Sequence, residues 1–203
     1  GELCAQFGAE RVDAFVEAWL DYGEHRTRQA IRTLPSGRIH AATRLDPFPA
    51  ILKGRRWDVL AANRAARALL TDWSARESGD RNLVWWMFTD PGARKVYVHW
   101  EEEASGMLGR FRATAGRRPD DPDFTDLIER LHQASPEVRA WWPRYDVAAI
   151  GGGTKHLHHP ALGDVAFQHT VLQVADNPEQ TLVYFTTDEV PAAKLSALAA
   201  EIG

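Results

Sequence analysis

Four histidines, His156, His158, His159 and His169, come nearest to metal chemistry in type and spacing, because neutral imidazole ligates zinc, copper or nickel. Side chains alternate across a strand, so His156 and His158 share a face while His159 points to the other. Two same-face imidazoles with no adjacent carboxylate or thiolate make a weak ligand set. A structural or cavity-lining role is expected for them, with no metal and no cofactor. Gly151-Gly-Gly-Thr-Lys155 has the residue types that cradle phosphate. A P-loop, however, needs Gly-x-x-x-x-Gly-Lys-Ser/Thr opening a helix, and this run enters a strand pattern. The single cysteine, Cys4, excludes an intrachain disulfide framework and a Cys-rich metal site. No Ser, His and Asp arrangement with a recognisable signature is present, so no catalytic residue is assigned and the chain is read as a non-enzyme.

The stronger signal is aromatic. Trp85, Trp86, Phe88, Tyr97, Trp100 and Phe111 fall between Arg81 and Arg112, interleaved with charges that must stay in water. Such density marks the centre of a core or the wall of a cavity. The chain carries eight Trp, each bringing a large apolar surface and one N–H that needs a partner. Trp85, Trp86, Trp100, Met107, Phe111, Leu131, Trp141, Leu157 and Phe167 are the expected cavity wall.

The elements that must position these residues read in order. Apolar positions from Val12 to Leu34 recur at spacings of three and four and predict an amphipathic helix over residues 9–34, stopped by Pro35-Ser-Gly37. A short extended piece, Arg38 to Thr43, follows. The helix-turn-helix of DNA-binding proteins needs two short helices around a tight turn, and none is visible before Pro49. Pro47-Phe-Pro49 makes a boundary, because the residue before each proline is pushed out of the helical region. Residues 51–61 read as two strands around Lys53-Gly-Arg-Arg56, and Asn63 as the N-cap of a helix from Arg64 to Leu70.

After a polar loop at Ser74–Asp80, helices are predicted over 82–88, from Pro91 to Val98 or beyond, over 101–114, over 124–134 and over 136–142. In the third of these, Ala104, Met107, Leu108 and Phe111 form the buried face, with Glu102, Glu103, Arg110 and Arg112 opposite. Glu101-Glu-Glu103 is expected to be a solvated first turn favoured by the helix dipole. Strands at 146–150, 154–159, 164–174 and 181–187 then form a meander, closed by a helix at 191–202. The order of strand pair, helices, meander and helix predicts an α+β domain with one antiparallel sheet and helices on one face.

Arg81-Asn-Leu83, Phe88, Asp90-Pro91, Ala93-Arg94, Tyr97 and Trp100-Glu-Glu102 resemble, in order, the ligand-binding domain of the MmyB-like transcription regulators. Gly54-Arg-Arg-Trp-Asp-Val-Leu-Ala-Ala-Asn63 upstream and Arg117-Arg-Pro-Asp-Asp-Pro122, Ser135-Pro-Glu-Val-Arg-Ala-Trp-Trp142 and Gly153-Thr-Lys-His-Leu-His-His-Pro160 downstream extend the resemblance over residues 50–190. The resemblance implies a PAS-like sensor domain with an apolar pocket for a small apolar or fatty-acyl ligand. An acyl chain would place its polar head at a partner, and Arg110, Arg139, His158 and Tyr184 are the candidates. Burying a dozen methylenes contributes roughly 10 kcal/mol before entropic losses.

The segment before Pro49 has another likeness. Phe7-Gly-Ala-Glu-Arg-Val12, Leu20 to Gly37 and Leu45-Asp46 resemble a fragment of a hydantoinase B/oxoprolinase-type subunit, with no catalytic residue to carry over. Two units are therefore expected: an N-terminal helical segment, 1–49, and a PAS-like ligand-binding domain, 50–203. The alternative reading is a non-sensing dimerisation module or an enzyme-associated module related to hydantoinase B.

With 44% hydrophobic and 26% charged residues, the composition is that of a soluble globular protein. A net charge of -4, with Arg scattered among Asp and Glu, argues against nucleic-acid binding by this chain alone. No apolar run reaches the length of a membrane span, and no signal peptide is visible, so a cytoplasmic location is expected. Sensor domains of regulators commonly pair, which makes a homodimer a candidate state.

Overall fold

The computed structural model describes residues 45–144, 153–174, 177–187 and 192–201. The helix expected over 9–34, the extended piece at 38–43, the strand at 146–150 and Cys4 lie outside these residues. Five strands, β1 (Ala50–Lys53), β2 (Val59–Ala62), β3 (Gly153–His159), β4 (Gly163–Gln173) and β5 (Thr181–Thr186), form one antiparallel sheet. Its order is β2-β1-β5-β4-β3. The helices among the described residues are α1 (Arg64–Leu69), α2 (Leu83–Thr89), α3 (Pro91–Val96), α4 (Trp100–Gly116), α5 (Pro122–Ala134), α6 (Pro136–Trp141) and α7 (Ala192–Glu201). They pack on one side of the sheet, which gives the expected α+β, PAS-like arrangement.

Local chemistry fixes most helix starts. Asn63 is fully buried, and its Oδ1 accepts from the backbone N–H of Ala66 at 2.9 Å, capping α1. The same side chain accepts from Ala50 N at 2.9 Å and donates to Phe48 O at 2.8 Å, so one residue ties α1 to the start of β1. Asn82 does the equivalent for α2, accepting from Val84 N at 2.9 Å and Trp85 N at 3.0 Å and donating to Arg56 O at 2.7 Å. Asp90, Asp121 and Ser135 cap α3, α5 and α6, each followed by a proline that needs no N–H partner.

The helix expected from Pro91 to Val98 or beyond stops short of its predicted end. α3 ends at Val96, because Tyr97 turns to bridge Leu157 on β3 and Val98 N donates to His156 O at 3.0 Å. β3 is the last strand of the sheet, and these contacts occupy part of its otherwise open edge. The polar loop at 74–80 contains two short 3-10 turns, Trp73–Ala75 and Ser78–Asp80.

α4 presents two faces. Trp100, Ala104, Leu108, Phe111 and Ala115 turn into a core shared with α2, α5 and α6. There Phe111 stacks on Phe124 at 5.8 Å, and Trp100 meets Phe88 at 6.0 Å and Trp141 at 5.9 Å. Glu103, Met107, Arg110, Thr114 and Arg117, also spaced by three and four, face a space beneath the sheet. Glu101 and Glu102 are exposed as expected of a solvated first turn, but Glu103 is not: it meets the Lys155 ammonium.

Candidate functional site

Strand alternation selects the side chains that look into that space. Ile51 and Lys53 come from β1, Lys155 from β3, His169, Val171 and Gln173 from β4, and Thr181, Val183 and Phe185 from β5. With the second stripe of α4, and with Trp57, Leu70, Leu83 and Tyr97, they enclose a cavity of about 700 Å³. Ile51, Leu70, Leu83, Met107, Val183 and Phe185 supply the apolar part of its wall, beside Lys53, Glu103, Arg110, Lys155 and His169. Arg55, Arg117 and Arg118 are more exposed and form its rim.

The hairpin between β1 and β2 shapes one wall. Trp57 N donates to Gly54 O at 3.0 Å to close a turn, and Trp57 itself sits at φ 69°, in the left-handed region. That conformation is costly for a bulky residue. It seats the Lys53 ammonium 3.5 Å from the centroid of the indole, a cation–π contact.

The charges are unevenly compensated. Lys155 is paired with Glu103, Arg118 with Glu179 at 3.0 Å, and Arg55 with both Asp121 and Asp123. Lys53, Arg110 and Arg117 contact no carboxylate among the described residues. Burial, with Arg110 nearby, lowers Lys53 to a pKa of about 8. Burial also lowers Arg110, against the opposing pull of Glu103 and Tyr97. His169 is lowered to about 4 by burial and by Lys155, Arg110 and Lys53, so it is neutral near pH 7. Burial raises the Tyr97 phenol, which stays protonated and makes no hydrogen bond among the described residues.

Of the thirteen residues expected from sequence to line the site, Met107 and Arg110 line this cavity. Trp86 is fully buried in the helical core, edge-on to Trp73 at 5.3 Å. Trp85 is half-buried under the Arg130 guanidinium, 4.3 Å from its ring. Trp100, Phe111, Leu131 and Trp141 belong to that same core, on the far side of α4 from the cavity. Leu157 is buried beside Tyr97, and Phe167 packs behind the cavity-lining Phe185 at 6.3 Å. The tryptophans thus fill a core, and among the described ones only Trp57 borders the cavity.

The other three anchor candidates lie elsewhere. Arg139 is exposed and donates to His132 O at 2.6 Å, closing the end of α5. His158 is on the outer face of β3, 2.5 Å from Asp164 Oδ1, and Tyr184 alternates out of phase with the cavity-lining Val183 and Phe185. His156 is likewise exposed, and no group of three or more metal-ligating side chains occurs among the described residues. Sequence reading missed Lys53, Trp57 and Lys155, while His169 was expected in a structural or cavity-lining role and Tyr97 only within the aromatic run. The signal for Lys53 was its place two residues after Ile51, on the inward face of β1.

Comparison with known families identifies one match. The family described as MmyB-like transcription regulator ligand binding domain matches residues 40–199, most of the chain. No curated protein matches. Among the described residues no helix is long and apolar enough to cross a membrane.

Proposed function

Because the chain belongs to the MmyB-like transcription regulator ligand binding domain family, we propose that its 700 Å³ cavity takes a small amphipathic molecule with a fatty-acyl-like body. The supporting observation is the cavity itself, set between the inner face of the sheet and one stripe of α4. Its size falls within the usual range of small-molecule sites, and the apolar part of its wall suits a hydrocarbon chain. A filled-core dimerisation module would leave no such space. Occupancy would alter regulation only by favouring one of two states of the larger regulator, as any ligand-driven switch requires.

The test is mass spectrometry of an organic extract of the purified, heat-denatured protein beside a mock purification. A lipid or amphiphile near one equivalent per chain is the expected outcome. If extracts stay empty and calorimetric titrations with alkyl acids and alkyl alcohols show no heat, the reading fails.

A further inference from the structure

We propose that Lys53 and Arg110, with the Tyr97 hydroxyl, form an anion site at the polar end of the cavity that prefers a doubly charged head, such as a phosphate monoester. This rests on the cavity being a ligand site, as proposed above, and specifies what its ligand must carry.

Charge balance around the cavity supports this site. An ion taken out of water without a partner is strongly unfavourable, and native proteins pair such groups. This chain does so around the cavity: Lys155 has Glu103, Arg118 has Glu179, and Arg55 has Asp121 and Asp123. Lys53 and Arg110 depart from that pattern. Arg110 lowers Lys53, so they are neighbours of like charge, and both also act on His169. Glu103 lies within electrostatic reach of Arg110, but its carboxylate contacts Lys155. Three cations with one carboxylate leave two positive charges at this end, since His169 is neutral.

Both cations are held in place. The left-handed Trp57 seats the ammonium of Lys53 on its indole. Gly106, one turn before Arg110 on α4, leaves room for the guanidinium: a Cβ at Gly106 would stand 3.3 Å from Arg110 Nη1. Tyr97 adds a neutral donor on the cavity wall. Ammonium, guanidinium and phenol are donors of three kinds that suit the several acceptor oxygens of a tetrahedral oxyanion. A carboxylate would neutralise one charge and a phosphate monoester both, being close to dianionic at pH 7.5.

The experiment is isothermal titration calorimetry of the purified chain at pH 7.5 with decyl phosphate, decanoate, decanol and decyltrimethylammonium below their micellar concentrations. Decyl phosphate binds tightest, decanoate next, decanol weakly, and the cation not at all. Lys53→Met and Arg110→Met each weaken decyl phosphate by about tenfold or more while leaving decanol unchanged, and Lys53→Arg retains most of the affinity. Decanoate matching decyl phosphate would overturn the two-charge preference. Decanol matching both, or the methionine variants weakening every probe alike, would overturn the anion site while leaving the cavity reading intact. No binding of any probe would overturn both.

Discussion

Lys53 shows how a single side chain can be set against the stability of its own fold. Arg110 and Glu103 from α4, Lys155 from β3, His169 from β4 and Tyr97 all face the cavity with it, and among the described residues its charge rests on the Trp57 ring. Its folded pKa of about 8 lies below the ordinary lysine value, so the unfolded chain binds this proton more tightly. The cost is therefore fully present below pH 8 and is relieved as pH rises from 8 toward 10.5. Ligand-free Lys53→Met is expected to be more stable than the parent at pH 7 by about 1–2 kcal/mol, with the gap closing at pH 10. Urea denaturation at the two pH values measures this, and equal gaps at both would show that Lys53 is not penalised. His169 works in the opposite window: with a folded pKa near 4 it contributes stability that is lost as pH falls from 6.5 through 4. His169→Gln should flatten the acid limb of the same stability profile.

At the scale of elements, α4 and the two asparagine caps set where the helices meet the sheet. Asn63 makes three hydrogen bonds from a fully buried position, joining a helix start to a strand start. Asn63→Ala is expected to cost roughly 2–4 kcal/mol, more than an exposed cap, because Ala50 N and Phe48 O would be left without partners. Thermal and urea unfolding check this, and a loss under about 1 kcal/mol would reduce Asn63 to an ordinary cap.

The Asn63 cap was legible in the sequence, since Asn before an apolar-periodic run is a local signal, whereas Asn82 was read as the first residue of its helix and is its cap. Legible too were the meander strands at 154–159, 164–174 and 181–187, whose alternation and Pro- or Gly-containing turns need no tertiary information. The cavity was legible only in part. Aromatic density between Arg81 and Arg112 is a property of sequence, but the side of α4 on which those rings lie is decided by the whole packing. Large apolar side chains went to the helix–helix core. The sheet side received Glu103, Met107 and Arg110, a stripe that looks solvent-facing in isolation. Nor does any local signal place Trp57 in a conformation that glycine usually adopts.

For the whole molecule, the cavity links ligand to stability. A ligand bound to the folded state alone raises unfolding free energy by about 2.7 kcal/mol at a hundredfold excess over its dissociation constant. Val183→Phe places a larger ring in the cavity from β5 while leaving the helical core untouched. It is expected to abolish the ligand-induced rise in melting temperature without lowering the ligand-free value by more than a few degrees. Differential scanning fluorimetry with and without decyl phosphate reads both. A rise retained in this variant would place the ligand elsewhere. The family match begins at residue 40, within the segment assigned to an N-terminal unit of 1–49. We propose that the sensing unit is the sheet, its covering helices and the cavity between them.

The seating of Lys53 on Trp57 also bears on how binding would look optically. Trp57, Trp73, Trp85, Trp86, Trp100, Trp141 and Trp142 are the described indoles, and six of them stand apart from the cavity wall. Emission from those six is a nearly constant background, while the seventh lies under a cation whose field shifts its spectrum. An arriving anion changes that field at one emitter among many. A faint intensity change can therefore accompany full occupancy, and the useful signal is the difference spectrum of Trp57 rather than the total brightness.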